Sequence, residues 1–189
     1  MKQLAYDVIV IGAGPPGENV ADRAIKGGLT AAIVESELVG GECSYWACVP
    51  SKALLRPGMA LDEARNVEGA REAITGKLNA PGVFKRRDSF VSNWNDSGQV
   101  KWLEHARVDL IRGHGQLAGE RKVVVADKDG GQTTLTARHA VVVCTGSRAL
   151  IPDVPGLVAA RPWTNREALG ARAVPRRLAI LGGGAVACE

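Results

Sequence analysis

Long apolar runs and aromatic residues are scarce in this sequence of 189 residues. No apolar stretch approaches the roughly 20 residues that a membrane-spanning helix needs, so we expect no membrane association. The N-terminus does not resemble a signal peptide, because Lys2 is soon followed by a predicted strand. The densest basic run, Lys85-Arg86-Arg87, has no interleaved aromatic residues. A solvated surface turn explains that run better than a nucleic-acid site, and no nucleic-acid partner is predicted.

Cysteine is also scarce, with 4 residues in the chain. Without an export signal we expect a cytoplasmic protein, and structural disulfides are rare in the cytoplasm. A close cysteine pair there favours redox chemistry or metal binding over a structural disulfide. Zinc needs about four ligands, and Cys144 and Cys188 are badly placed to join Cys43 and Cys48. No metal site is therefore predicted, and two buried free cysteines remain the other alternative for the pair.

The order of the predicted elements indicates an α/β fold. A strand at residues 6–11, a helix at 15–26 and a strand at 31–35 form a strand–helix–strand unit. Helical patterns follow at 43–55, 59–74 and 89–106, with Pro57-Gly58 interrupting the first two. Short strands at 108–112, 123–126, 133–137 and 140–144 then indicate a small antiparallel meander.

A second strand-and-glycine pattern begins near the end of the sequence. Pro152, Pro155 and Pro162 mark an extended linker, and residues 177–181 repeat the opening pattern of a strand followed by glycines. We therefore predict a dinucleotide-binding domain over residues 1–150, a linker over 151–176, and the start of a second such domain over 177–189.

Gly12, Gly14 and Gly17 form a G-x-G-x-x-G pattern between the first predicted strand and helix. The first glycine permits a tight turn, the second lets the backbone approach a pyrophosphate, and the third lets the helix pack on the strand. The helix N-terminus adds free N–H groups and a partial positive charge, and its first turn tolerates Pro15. Glu35 ends the second strand, 35 − 12 = 23 residues later, where a carboxylate can bind both ribose hydroxyls. Such an acid favours FAD or NAD over NADP, although glycines can also end a strand for purely structural reasons.

Cys43 and Cys48 lie five residues apart, just after Gly40-Gly41. On a straight helix their Cα atoms would be about 8.6 Å apart, whereas a disulfide needs about 4.4–6.8 Å. A disulfide therefore requires an irregular first turn, which the upstream glycines make feasible. A bond that needs such a distortion is a reactive one, and a helix N-terminus also favours the thiolate.

Residues 40–52, GGECSYWACVPSK, resemble the redox-active signature of the pyridine nucleotide-disulfide oxidoreductases. This family includes dihydrolipoamide dehydrogenase, glutathione reductase and mercuric reductase. Residues 141–147 resemble the strand and turn that return to the FAD, 112–115 the segment whose backbone meets the adenine, and 182–189 the opening of the NAD(P) domain. The sequence departs from the family in the Ser-Tyr-Trp-Ala between the cysteines, where many members have Asn-Val-Gly before the second cysteine. It also has Cys144 where alanine is common, and we interpret Cys144 as a buried small residue.

The resemblance implies a Rossmann-like FAD-binding domain, with a parallel sheet, helices and a small antiparallel meander, followed by an incomplete NAD(P)-binding domain. The cofactors it implies are FAD and either NAD or NADP. The cofactor-binding residues it implies are Gly12, Gly14, Pro15, Gly17, Glu35, Ser36, Gly41, Glu42, Cys43, Lys52, Gly115, Thr145, Gly146, Ser147, Gly182 and Gly184.

The resemblance also implies roles in catalysis for four residues. Cys48 is the flavin-proximal thiol, Cys43 attacks the substrate disulfide, and Lys52, paired with Glu189, stabilises charge on the reduced flavin. The implied activity is NAD(P)H-linked reduction of a small-molecule disulfide, or oxidation of a dithiol, by a full-length homodimer. A mercuric-ion or quinone reductase using the same pair is one alternative. A non-catalytic flavin-binding fragment is another, and if 189 residues are the complete polypeptide we expect no normal turnover.

Overall fold

The computed structural model describes residues 2–189 and divides into two compact units. The first unit comprises the residues up to Cys43 together with Trp94–Ser147. The second comprises Ser44–Asn93 together with Arg148–Glu189. Both units are thus built from two separate stretches of chain. The domain boundaries proposed from the sequence stay a prediction.

Six strands of the described chain form one mixed sheet in the first unit, in the order β3-β2-β1-β6-β5-β4. The strands are β1 (Lys2–Ile11), β2 (Ala31–Glu35), β3 (Asp109–Arg112), β4 (His114–Leu117), β5 (Lys122–Ala126) and β6 (Gln132–Val143). β3, β2, β1 and β6 run parallel, whereas β5 and β4 add an antiparallel edge. The predicted α/β architecture is confirmed.

The helices of the described residues follow the same numbering in chain order. They are α1 (Pro15–Lys26), α2 (Gly41–Tyr45), α3 (Cys48–Arg65), α4 (Ala80–Phe90), α5 (Ser97–His105), α6 (Asn165–Leu169) and α7 (Ala185–Cys188). Short 3₁₀ turns lie at Arg71–Ala73 and Ser92–Trp94. Within residues 2–189 no helix is long and apolar enough to cross a membrane.

Apolar residues cover both faces of the central strands. Ile9 packs with Leu135 in a cluster on one face. Val10 and Ile33 pack with Ala21 of α1 on the other face. Continuous apolar runs such as those of β1 and β2 are typical of parallel strands that are buried on both sides. The core of the first unit therefore holds the ends of β1 and β2 in fixed positions.

The predicted helix break at Pro57-Gly58 is wrong, because α3 runs through both residues. Proline removes one N–H donor from the helix. The packing of α3, in which Ser51 and Ala53 are buried, outweighs that loss. The real break comes earlier, at Ala47, whose φ of −139° and ψ of −95° separate α2 from α3.

The predicted helix over residues 89–106 is also wrong, since α4 ends at Phe90 and α5 begins at Ser97. Ser92, Asn93 and Trp94 have φ of +50°, +51° and +56°, a left-handed conformation that ends a right-handed helix. The sequence patterns did not predict α4. Its signal is Asn79, whose side chain accepts a hydrogen bond from the Gly82 N–H and caps the helix.

The predicted antiparallel meander needs three corrections. β3 does not belong to it, because Leu110 pairs in parallel register with Ile33 of β2. The two strands predicted at 133–137 and 140–144 are one strand, β6, with a register shift opposite Tyr6–Val8 of β1. β4 was not predicted as a strand. One long strand can serve both parts because β6 pairs with β1 along one side and with β5 along the other.

The strand predicted at residues 177–181 does not form. A strand needs a neighbouring strand to satisfy its backbone groups, and no described residue pairs with this segment. Leu178 is 62% exposed and Ile180 is 58% exposed. The predicted linker is not uniformly extended either, because it contains α6, which a capping box formed by Thr164 and Glu167 begins.

Candidate functional site

The candidate site of the first unit lies where the parallel strands end. β1, β2, β3 and β6 all point their carboxyl ends toward the same edge of the sheet. In open α/β sheets, ligands bind outside this edge. The segments that follow these strands contain most of the residues predicted to bind a cofactor.

The glycine loop after β1 is packed tightly at two of its glycines and open at the third. A Cβ atom on Gly12, whose φ is +101°, would overlap the Cys144 carbonyl oxygen. A Cβ atom on Gly17 would overlap the Gly12 carbonyl oxygen, so α1 approaches the loop as closely as backbone can. The Cβ of a side chain at Gly14 would meet nothing nearer than Pro16 Cδ, at 3.9 Å. A half-buried Gly14 therefore leaves open space beside its Cα, and the predicted approach of a phosphate group there stays a prediction.

Glu35 binds the glycine loop as well as ending β2. Its Oε2 accepts a hydrogen bond from the Ala13 N–H at 2.8 Å, and its Oε1 accepts one from the Glu37 N–H at 2.7 Å. A carboxylate has about four acceptor sites. Two of them therefore remain to accept hydrogen bonds from ribose hydroxyls.

Gly40 and Gly41 pack on the glycine loop, backbone against backbone. The Gly40 N–H donates to the Ala13 carbonyl oxygen at 2.7 Å. Gly41 has a φ of +60°, and a Cβ on it would lie 2.9 Å from Gly14 Cα. The two glycines thus let the cysteine segment begin in contact with the glycine loop, a reason for glycine that the sequence alone did not reveal.

Asp96 and Arg112 fix the segment between Glu35 and Gly40, and sequence reasoning missed both. Asp96 Oδ2 accepts a hydrogen bond from the Val39 N–H at 2.8 Å and forms an ion pair with Arg112. Arg112 Nη1 also donates to the Glu37 carbonyl oxygen at 2.6 Å. Burial raises the pKa of Asp96, but hydrogen bonds from Arg112 and from the Val39 N–H outweigh burial and leave the pKa below its usual value.

Gly115 and Thr145 lie at the same edge of the sheet. A Cβ on Gly115 would lie 3.1 Å from Val34 Cγ1 and 3.2 Å from Ile11 Cγ2, near the ends of β2 and β1. A Cβ on Gly12 would lie 3.2 Å from Thr145 N, so the turn after β6 borders the glycine loop. Ser36, Gly146 and Ser147 are exposed on the segments that leave these strands. Cys144 packs against the apolar cluster around Val10, but it is only partly buried, whereas the sequence predicted a buried residue.

The first turn of α1 contains two features that affect anion binding. Pro15 and Pro16 occupy its first two positions, so neither supplies an N–H group. Glu18, in the same turn, has a carboxyl oxygen, Oε1, that is buried without a hydrogen-bond partner among the described residues. Burial raises the pKa of Glu18. This turn therefore has fewer donors for a pyrophosphate than the glycine pattern alone suggests.

The second unit brings together three of the predicted site residues. Cys48 begins α3 and carries an exposed free thiol, and Lys52 follows one turn later. Lys52 Nζ lies 2.6 Å from both carboxylate oxygens of Glu189, which confirms the predicted ion pair. Hydrogen bonds from Lys52 hold the pKa of Glu189 below its ordinary value. Cys43 belongs to the first unit, and its disulfide with Cys48 stays a prediction.

Gly182 and Gly184 form an exposed turn in the second unit. Gly182 has a φ of +115°, and Gly184 is the N-cap residue of α7. A Cβ atom on either glycine would meet no atom within 4 Å. The turn has the conformation of a glycine loop, and its binding of a nicotinamide nucleotide stays a prediction. In residues 2–189 no cluster of three His, Cys, Asp or Glu side chains could hold a metal ion.

The sequence of this chain is similar to those of known proteins. The sequence profile described as "Pyridine nucleotide-disulphide oxidoreductase" matches residues 6–189. The chain is 36% identical over 188 residues to a dihydrolipoyl dehydrogenase of Chlorobaculum tepidum, covering 97% of this chain and 39% of that protein. It is 39% identical over 189 residues to dihydrolipoyl dehydrogenase 3 of Pseudomonas aeruginosa, covering 98% of this chain and 40% of that protein. It is also 31% identical over 185 residues to a mercuric reductase of Staphylococcus aureus, covering 97% of this chain and 33% of that protein.

A solved structure shares the fold. The Cu(II) complex of an HOCl-induced flavoprotein disulfide reductase from Escherichia coli matches with a TM-score of 0.77 and 21% identity. The match covers 95% of this chain and 37% of that one. The chain thus spans 33–40% of the length of the relatives described here.

Proposed function

The chain belongs to the pyridine nucleotide-disulphide oxidoreductase family, and on this premise we propose that it is an FAD-dependent, NAD(P)H-linked disulfide oxidoreductase. Its reaction is that of a dihydrolipoyl dehydrogenase, with Cys43 and Cys48 as the redox pair. The observation that carries the proposal is the packing of Gly40 and Gly41 on Ala13 and Gly14. This packing joins the start of the cysteine segment directly to the dinucleotide loop.

The carboxyl edge of the sheet fits the ADP half of FAD. Gly14 offers open backbone for the pyrophosphate, and Glu35 keeps acceptor sites for the ribose hydroxyls. Gly115 and Thr145 border the same space and would contact the adenine and the flavin side of the cofactor. Bound FAD supplies the two-electron transfer between a nicotinamide and the cysteine pair.

The cysteine pair performs thiol–disulfide exchange. The Cys43 thiolate attacks one sulfur of the substrate disulfide, forming a mixed disulfide and releasing the first substrate thiolate. The Cys48 thiolate then attacks Cys43 Sγ, which forms the Cys43–Cys48 disulfide and releases the second substrate thiolate. Each released thiolate takes up a proton. Two electrons, which NAD(P)H would supply, and two protons would return the pair to the dithiol.

Lys52 supplies a fixed positive charge one turn after Cys48. The ion pair with Glu189 orients the Lys52 ammonium, because both carboxylate oxygens accept from Nζ. With the flavin bound beside it, a cation at Lys52 would stabilise negative charge on the reduced cofactor. The full-length protein is proposed to work as a homodimer on a small-molecule disulfide or dithiol, with NAD or NADP as its second nucleotide.

The test uses the full-length, flavin-loaded protein with Cys43→Ser, Cys48→Ser and the control Cys144→Ser. Both redox-pair variants should lose disulfide-reductase turnover, since exchange needs both sulfurs. Cys144→Ser should retain turnover, because Cys144 is partly buried against the apolar core of the first unit and takes no part in the proposed exchange. Mass spectrometry after alkylation should show a disulfide that joins Cys43 to Cys48 in the oxidised wild type. Wild-type turnover in Cys43→Ser would overturn the proposal.

Reduction of mercuric ion is the second candidate, favoured by the match to a mercuric reductase. The same two thiols would bind Hg(II). Two electrons supplied by NADPH or NADH would then reduce the ion to elemental mercury. Turnover with Hg(II) that exceeds turnover with lipoamide under the same nicotinamide concentration would favour this function. Faster turnover with lipoamide would favour the disulfide oxidoreductase.

A further inference from the structure

Trp46 lies between the two cysteines, at the break between α2 and α3. α2 ends at Tyr45 and α3 begins at Cys48, with Ala47 in a non-helical conformation. No side chain caps α3 at Ala47. The start of α3 therefore gains no stabilisation from a side-chain cap, and contacts from other parts of the second unit can stabilise the break.

Two residues of α6 supply such contacts to Trp46. Asn165 Nδ2 donates a hydrogen bond to the Trp46 carbonyl oxygen at 2.7 Å. The guanidinium carbon of Arg166 lies 4.1 Å from the centre of the Trp46 ring, within the range of a cation–π interaction. The Trp46 ring also lies 5.7 Å from the ring of Tyr45, which is 4% exposed. The backbone and the ring of Trp46 are thus held by different residues.

α6 is itself fixed at both ends. At its start, Glu167 Oε2 accepts a hydrogen bond from the Thr164 N–H at 2.7 Å, and Thr164 Oγ1 accepts one from the Arg166 N–H at 3.2 Å. Hydrogen bonds from Thr164 lower the pKa of Glu167, so the cap is charged at neutral pH. At its end, the buried guanidinium of Arg87 donates to the Leu169 carbonyl oxygen. α6 is therefore an ordered support for the contacts to Trp46.

We propose that Asn165 and Arg166 are positioning residues that hold the Trp46–Ala47 break and thereby set the disulfide–dithiol equilibrium of Cys43 and Cys48. The proposal rests on the function proposed above. On a continuous helix the two Cα atoms would be about 8.6 Å apart, beyond the roughly 4.4–6.8 Å that a disulfide spans. Contacts that stabilise the break raise the effective concentration of one thiol at the other. They therefore favour the disulfide over the dithiol.

The expected effect of removing each contact follows from its usual strength. Loss of a partly exposed cation–π contact should shift the equilibrium about two- to fivefold toward the dithiol. Loss of the hydrogen bond to the Trp46 carbonyl should shift it about two- to tenfold in the same direction. Arg166→Lys should have a smaller effect than Arg166→Gln, because an ammonium keeps the charge but not the planar stacking.

The experiment measures this equilibrium in the full-length, flavin-loaded protein. Wild type, Asn165→Asp, Arg166→Gln and Arg166→Lys are equilibrated in glutathione buffers of graded ratio and then alkylated. In the exchange, the dithiol and one glutathione disulfide give the Cys43–Cys48 disulfide and two glutathione thiols. Mass spectrometry reports the oxidised fraction. Arg176→Gln is the matched control, since Arg176 is an exposed arginine of the same unit.

A shift toward the dithiol in the Asn165 and Arg166 variants, with Arg176→Gln unchanged, is the expected result. The wild type can form the Cys43–Cys48 disulfide while the Asn165 and Arg166 variants keep its equilibrium. That result would overturn this inference and leave the proposed function standing. No such disulfide in the wild type at any glutathione ratio would instead overturn the proposed function. If Asn165→Asp does not fold, Asn165→Ala removes the same donor without adding a charge and gives the same comparison.

Discussion

The two glycine loops of the molecule have nearly the same local conformation in very different surroundings. Gly12 and Gly182 have φ of +101° and +115°. The N-cap residues of the helices that follow, Gly14 and Gly184, have φ and ψ of −77° and 177°, and of −78° and 178°. Yet a Cβ on Gly12 would overlap the Cys144 carbonyl oxygen, whereas one on Gly182 would meet nothing within 4 Å. The glycine pattern alone therefore determines the conformation of the turn. The packing around the turn depends on other parts of the chain.

The difference arises in the strand before each loop. β1 lies between β2 and β6, so the loop at Gly12 meets the turn after β6 and the acid at the end of β2. The residues before Gly182 pair with no strand in the described chain. A strand-and-glycine pattern thus predicts a turn and a helix start, while the close packing of the loop needs neighbouring strands.

The largest expected effect comes from placing alanine at the first glycine of each loop. Gly12→Ala and Gly182→Ala both force alanine to a positive φ, which costs about 1–2 kcal/mol. Gly12→Ala also creates an overlap with backbone, which should lower the free energy of unfolding by about 3 kcal/mol in addition. Urea unfolding of both variants measures the difference. Equal losses of stability would show that the packing difference between the loops is unimportant.

Glu35 tests what the neighbouring strand contributes to the first loop. Glu35→Gln replaces one carboxylate oxygen by an NH₂ group, which cannot accept from the Ala13 or Glu37 N–H. We expect unfolding to become easier by about 1–3 kcal/mol and FAD to bind more weakly, with a still larger loss for Glu35→Arg. Flavin fluorescence titration measures the affinity, and the exposed Glu120→Gln is the control in the same unit. Unchanged FAD affinity in Glu35→Arg would exclude Glu35 from the site.

The two helices that follow the glycine loops differ in the number of N–H groups in their first turn. Pro15 and Pro16 follow Gly14, whereas Ala185 and Val186, which both carry an N–H, follow Gly184. Pro16→Ala should restore one donor and strengthen FAD binding by about 0.5–1.5 kcal/mol. The same change should slightly destabilise the protein without FAD, because the unfolded chain gains freedom. Weaker or unchanged FAD binding would mean that this N–H does not face the pyrophosphate.

The smallest expected effect is the difference in stability between variants of two ion pairs, Asp96–Arg112 in the first unit and Lys52–Glu189 in the second. Asp96, paired with Arg112, has a lowered pKa, so it stabilises the fold above its unfolded pKa near 3.8 and loses that contribution as the pH falls through its folded pKa. Asp96→Asn should remove about 1 kcal/mol at pH 7 and flatten the loss of stability below pH ~4. Lys52→Gln breaks the exposed pair with Glu189 and should leave the melting temperature at pH 7 unchanged. Equal shifts in melting temperature for the two variants at pH 7 would contradict this distinction.

The sequence predicted the elements whose signals are local. β2 and α1 have the predicted bounds because a strand–helix–strand unit with a glycine loop carries its information within about 30 residues. The Lys52–Glu189 ion pair was predicted as well, but only through the resemblance to a known family. The break at Ser92–Trp94 carries no glycine or proline, which is why a continuous helix was predicted there.

The sequence could not predict contacts that join distant segments. β3 pairs with β2, although Leu110 lies far along the chain from Ile33. Asp96 reaches the Val39 N–H across 57 residues, and Asn165 reaches Trp46 across 119. No periodicity or motif encodes these pairs. They depend on the order of the strands in the sheet and on the packing of distant segments, which no short stretch of sequence determines.

The pairing of β1 with β6 has a consequence for synthesis on the ribosome. Ile11 is paired with Val143, which is made 143 − 11 = 132 residues later. At about 5–20 residues per second, Ile11 at the end of β1 is made about 7–26 s before Val143, its partner in β6. During this interval the edge of an apolar strand that later becomes central is open to pairing with other chains. In a nascent chain of this protein this edge of β1 therefore has no β6 partner until β6 has left the exit tunnel.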